Sequence, residues 1–176
     1  MFRNQFKVRK KFMIFIGYVL LGGLVSAWSF DRHYYKGPKY QAPETTNAVN
    51  LFVEKCSEYK LKDICGYGLN NLVRIDVVDK IWWKTSLDPD TRTIGLTEYS
   101  TFSPLTKISI DKRLLVDKVL FDSTVIHELG HAVLNLNHND EKLAIMNTMI
   151  TNDHLLDYKY ELLVNEMFKD FSDSVK

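Results

Sequence analysis

Residues 123–138 read STVIHELGHAVLNLNH, and this stretch decides both the fold and the chemistry. Within it, His127-Glu128-Leu129-Gly130-His131 places two imidazoles at i and i+4. On a helix those positions share one face, so both rings can reach a single ion. Helical periodicity extends from Leu120 to about Leu134, with Asp122 or Ser123 as candidate N-caps, and Val125, Ile126, Leu129, Ala132 and Val133 supply apolar packing. Zinc suits such a pair, being borderline-soft and bound by imidazole nitrogen at about 2.0–2.1 Å. Glu128, next to the first histidine, is placed as a general base for a zinc-bound water whose pKa the ion lowers to roughly 7. A catalytic zinc site takes three protein ligands and a solvent position, and His138, seven residues beyond His131, is the third candidate.

The motif and the residues after it resemble the metzincin metallopeptidases, especially their matrixin-like members. The family pattern is H-E-x-x-H-x-x-G-x-x-H with a Met-turn downstream. Here HELGHAVLNLNH precedes NDEKLAIMN. The family's glycine position falls on Leu134 and its third histidine on Asn137, so His138 comes one residue late. One residue inserted in the last helical turn accounts for this. Asn135 then takes the glycine's left-handed conformation, which asparagine tolerates best after glycine, and Asn135-Leu136-Asn137-His138 stands for G-x-x-H. The ligand set is His127, His131 and His138. Met146, in Ala-Ile-Met-Asn, resembles the Met-turn methionine, although Asn147-Thr148 come after it where the family has Tyr or Pro.

The resemblance covers residues 127–147 closely and 45–171 loosely. It implies an α/β (α+β) zincin-like catalytic domain: a small twisted mixed sheet, an active-site helix and a C-terminal helix. It also implies that a peptide or protein substrate adds as a strand to the sheet edge above the zinc, which assigns Gly95, Leu96 and Thr97 to substrate contact. A propeptide cysteine switch is not expected. Only the 14 residues 31–44 separate the apolar segment from the first helix, and Asp63-Ile64-Cys65-Gly66 lacks the family's flanks.

The rest of the chain suits a small mixed domain. Its 176 residues fit one domain of ordinary size, and 45% hydrophobic with 26% charged residues argues against wholesale disorder. Ala48, Leu51, Phe52, Cys56 and Tyr59 mark a helix over 45–60, with Thr45 or Thr46 as N-cap. Gly66, Gly68 and Asn70-Asn71 predict a loop over 61–71. Alternating or β-branched runs predict strands at 72–78, 93–100 and 107–111, and Ile81-Trp82-Trp83 extends the first or begins another. Asp88-Pro89-Asp90 reads as a turn with solvated acids. After an irregular 135–153, Leu156, Tyr160, Leu163, Met167 and Phe171 mark a last helix over about 155–171.

Residues 12–30, FMIFIGYVLLGGLVSAWSF, carry no charge, and as a helix their rise of about 28 Å matches the ~30 Å hydrocarbon core of a bilayer. They read as a single membrane anchor or as a signal peptide cleaved near Val25-Ser26-Ala27. Five of the 23 basic residues precede Asp31, the first acid; the remaining 18 face 22 acids, a net −4 over 31–176. The basic flank therefore stays cytoplasmic, and the acidic body is extracytoplasmic, or secreted if the segment is cleaved. Such a body is poorly suited to nucleic acid. The organisation is a basic flank and apolar segment (1–30), a Pro- and Tyr-containing tether (31–44) and a zinc metallopeptidase domain (45–176). Cys56 and Cys65 either form a disulfide, as export permits, or leave Cys56 a buried thiol on an apolar helix face.

The whole implies an exported, membrane-anchored zinc metalloendopeptidase. Two other readings compete. In a gluzincin-like peptidase Glu166, within Asn165-Glu166-Met167-Phe168-Lys169-Asp170, or Glu161, would be the third ligand. In a non-catalytic zinc-binding adaptor, Glu128 would have no task.

Overall fold

The computed structural model describes residues 38–81, 93–101, 103–140, 144–147 and 157–176. The β-branched runs pair as the alternation predicts. Strand β1 is Tyr40–Gln41, β2 Leu72–Val78, β3 Gly95–Tyr99 and β4 Thr106–Asp111. They form one mixed sheet in the order β1-β2-β4-β3, with β1 and β4 parallel to β2 and β3 antiparallel to β4. Ile75 pairs with Ile108 and Val77 with Ile110 across β2 and β4, while Thr97 lies opposite Ile108 across β3 and β4. β4 is buried along nearly its whole length because it is interior to the sheet. β3 is the outermost described strand on its side.

Four helices complete the described domain: α1 (Thr46–Glu58), α2 (Lys62–Asn71), α3 (Lys118–Leu134) and α4 (Asp157–Ser174). Helix α3 is the hub, touching β3, β4 and each of the other helices. It is buried around most of its circumference, from Phe121 through Gly130 to Leu134, as a helix between a sheet and other helices must be. Phe52 of α1 meets Phe168 of α4 edge-on, their centroids 5.0 Å apart. The result is a mixed α/β arrangement compatible with α+β. Among the described residues no helix is long and apolar enough to cross a membrane, and residues 12–30 lie outside them.

Several expectations are corrected. The predicted loop 61–71 is helix α2. Its glycines are not breakers: a Cβ on Gly68 would stand 2.5 Å from the backbone oxygen of Val133, so glycine there lets α2 lie against α3. The tether reading is corrected at its end, where Tyr40–Gln41 add to the sheet edge and Pro43–Thr45 form a 3-10 turn. Thr45 precedes α1, but its hydroxyl donates to the Ala42 carbonyl instead of capping the helix. Helix α3 begins at Lys118, two residues earlier than predicted. Asp117, not Asp122 or Ser123, is its N-cap, accepting from the Leu120 amide at 3.0 Å. On α4 the buried face is Leu163, Val164, Met167 and Phe168, with Tyr160 and Phe171 at its margins. Cys56 and Cys65 are joined in a disulfide that ties α1 to α2. Trp82-Trp83, the turn at 88–90 and Leu156 lie outside the described residues.

Candidate metal centre

Helix α3 carries His127 and His131 on one face, and its end determines where His138 falls. Asn135 closes the helix in the left-handed conformation, with φ 54° and ψ 37°, its amide donating to the His131 carbonyl at 3.1 Å. This is the role expected of it in place of glycine. The chain then reverses and brings His138 back over the helix. The three Nε2 atoms converge: His127 and His131 are 3.0 Å apart, His131 and His138 3.1 Å, and His127 and His138 3.2 Å. His127 is buried, His131 half-buried and His138 exposed, so the cluster opens to solvent on the His138 side.

Backbone carbonyls fix two of the rings. His127 Nδ1 lies 2.8 Å from the Ile145 oxygen and His131 Nδ1 lies 2.6 Å from the Leu136 oxygen. A carbonyl only accepts, so each Nδ1 carries the proton and donates, leaving Nε2 with its lone pair. Burial holds the His127 imidazole well below its ordinary range, at about 4, and the charges of His131 and His138 act in the same direction. Burial lowers His131 as well, more than its bond to Leu136 raises it. At neutral pH both rings are therefore uncharged, and two bare nitrogens face each other with no proton between them. That arrangement is repulsive unless a cation takes both lone pairs. The cluster can hold a metal ion, and among the described residues its converging ligand atoms belong to these three histidines and to no carboxylate. Glu161 and Glu166 are exposed on α4.

Met146 is buried against α3 in the notch at Gly130, between the two helical histidines. Its carbonyl accepts from the Asn139 amide at 2.8 Å, tying the 144–147 turn to the segment that carries His138. Ile145, its neighbour, supplies the acceptor for His127. The turn therefore packs against α3 beside the histidine cluster and orients one of its rings.

Glu128 is only 5% exposed, and burial pushes its carboxyl up to about 7, against the opposing pull of a hydrogen bond from Thr97. Strand β3 faces it. Successive inward positions of the strand meet successive turns of α3. Gly95 abuts Thr124 and Glu128, the Thr97 hydroxyl lies 2.6 Å from Glu128 Oε2, and the Tyr99 hydroxyl donates to the His131 carbonyl at 2.8 Å. Strand alternation turns Leu96 to the opposite face. Burial and the Glu128 charge raise the Tyr99 phenol.

Sequence reasoning did not anticipate the Thr97 and Tyr99 contacts or the carbonyls of Ile145 and Leu136. Strand alternation was the available signal for the first two. The carbonyls had none, since a backbone acceptor leaves no mark on residue identity. Comparison with protein-family models, with curated proteins and with solved structures finds no match to this chain.

Proposed function

We propose that this chain is a zinc-dependent metalloendopeptidase of metzincin type, holding zinc on His127, His131 and His138. The observation that carries the reading is the convergence of three Nε2 atoms within 3.0–3.2 Å, two of them on rings whose Nδ1 protons are committed to carbonyls. A tetrahedral ion bound by nitrogen at about 2.0–2.1 Å sets its ligands about 3.3–3.4 Å apart, so a small adjustment seats zinc. Three imidazoles with one position left for solvent is the donor set of a catalytic zinc site.

When bound, zinc supplies a Lewis acid that acidifies water and polarises a peptide carbonyl. The remaining work belongs to the chain. Glu128, beside His127 and shielded from bulk water, takes the proton of the attacking water and returns it to the leaving amine. Its carboxyl is raised by burial, and a cation nearby draws it back toward the ionised form that a base requires. β3, the outermost described strand, offers a backbone edge on which an extended peptide can lie, with Gly95 and Thr97 facing Glu128 and Leu96 on the opposite face. The Cys56–Cys65 disulfide suits an oxidising compartment. With the basic flank and apolar residues 12–30 it supports export, with that segment as membrane anchor or signal.

The test pairs metal analysis with peptide-library cleavage. The wild type is expected to carry one zinc per chain and to cleave peptides until a chelator is added. Glu128→Ala keeps the zinc and loses cleavage; His138→Ala loses both. A His138→Ala protein with full zinc content and activity would overturn the ligand assignment, and a wild type that binds zinc but cleaves nothing would favour the adaptor.

A further inference from the structure

Two residues of β3 enclose the Glu128 carboxylate. The Thr97 hydroxyl lies 2.6 Å from Oε2 and 3.1 Å from the backbone oxygen of the same glutamate. A hydroxyl has one proton to give, and 2.6 Å falls in the range of a charge-assisted O–H···O⁻ bond, so the carboxylate takes it. On the other side, a Cβ on Gly95 would stand 2.5 Å from Oε1 and 2.9 Å from Cγ of Glu128. Only glycine leaves that oxygen its place. Thr97 is β-branched with restricted χ1, and β4 fixes its strand at Ile108. The donor therefore occupies a set position.

We infer that Thr97 is a positioning residue for Glu128: its hydroxyl fixes Oε2, and with Gly95 packed against Oε1 it sets the orientation of the carboxylate. The inference rests on the hydrolase reading above for its consequence, though not for its geometry. It gives Thr97 a task different from substrate contact. Threonine here does more than fasten the strand to the helix, because Tyr99 already ties β3 to α3 at the His131 carbonyl.

Three zinc-loaded full-length variants are compared with the wild type: Thr97→Val, which keeps the shape and loses the hydroxyl, Thr97→Ser, which keeps the hydroxyl, and Gly95→Ala. Cleavage of an internally quenched peptide is measured, and the Glu128 carboxyl carbon is followed by NMR in ¹³C-glutamate-labelled protein. Thr97→Val is expected to lower kcat by about 10- to 100-fold with KM and zinc content unchanged, and to displace the Glu128 resonance. Thr97→Ser restores both. Gly95→Ala, which pushes on Oε1 from the other side, repeats the Thr97→Val pattern and carries the test if that variant fails to fold. A wild-type kcat with an unmoved resonance in Thr97→Val overturns the inference, as does a Thr97→Ser variant equally impaired. If the wild type cleaves no peptide, the hydrolase reading fails by itself. The resonance then still decides whether Thr97 holds the carboxylate, and no displacement in Thr97→Val overturns that.

Discussion

Replacing Glu128 with Gln in the metal-free protein is expected to raise stability at pH 8 and change it little at pH 5. Burial lifts the Glu128 carboxyl from its ordinary 4.5 to about 7 in the folded chain. Its folded pKa is therefore raised, so its contribution to stability is fully present below 4.5 and is lost as pH rises to about 7. At about 1.4 kcal/mol per pH unit, this interval sets the cost of ionised, buried Glu128 at about 3 kcal/mol above pH 7. Gln cannot ionise and still accepts from Thr97, so the gain at pH 8 is about 3 kcal/mol, falling below about 1 kcal/mol at pH 5. His127 shifts the other way, from 6.5 to about 4, so its contribution is lost as pH falls through that interval. In the wild type the slopes of Glu128 and His127 offset each other between about 4.5 and 6.5, so only the shallower rise from the lowered His131 is left. In Glu128→Gln the two lowered histidines, His127 and His131, act unopposed, and stability climbs with pH over the same range. Urea unfolding of chelator-treated protein at half-unit pH steps reads both curves. Zinc is expected to shrink the pH 8 advantage, since a nearby cation offsets the buried charge. Equal gains at pH 5 and pH 8, or parallel pH profiles for the two proteins, would refute the argument that desolvation governs this site.

Three further outcomes are expected. Gly68→Ala puts a Cβ against the Val133 backbone and is expected to destabilise by about 1–3 kcal/mol, whereas Gly66→Ala, in the same helix with nothing within 4 Å, is expected to stabilise by up to about 1 kcal/mol. Opposite signs in parallel thermal melts check the pair. Replacing Cys56 and Cys65 together with Ser opens a loop of sequence separation 9 and is expected to cost about 2.6 kcal/mol by chain entropy, read by guanidinium unfolding. Asn135→Gly is expected to keep zinc affinity, while Asn135→Ala, which resists φ 54°, is expected to weaken it by calorimetry because Leu136 and His138 lose their placement.

The strands and central helix were legible because their signals are local. Alternation in Leu72–Val78 and β-branching in Lys107–Asp111 describe a pleated, buried surface whatever they pair with. Helix α2 was not legible. Gly66, Gly68 and Asn70-Asn71 carry breaker propensities, yet a disulfide holds one end of the segment and Gly68 is set by the approach of α3, a neighbour 65 residues away in sequence. Tertiary packing outweighed propensity there. The parallel addition of Tyr40–Gln41 beside Arg74 and Ile75 was hidden for a related reason: two residues have no period to detect.

The candidate site divides along the same line. His127, His131 and His138 could be proposed as a set because metal ligands must be side chains of particular kinds, and because a helix and one left-handed residue convert spacing into direction. Asn135 carries the most weight in that conversion. Had the chain continued helically, His138 would lie seven residues past His131, almost two turns farther along the axis, at about 10 Å of rise. A single positive φ folds that separation to 3.1 Å between ring nitrogens. What orients the rings is carried by the carbonyls of Ile145 and Leu136, and any residue type supplies a carbonyl. The candidate ligands of such a centre are therefore legible in the sequence, while the carbonyls that set the tautomers of His127 and His131 are fixed only by the backbone path.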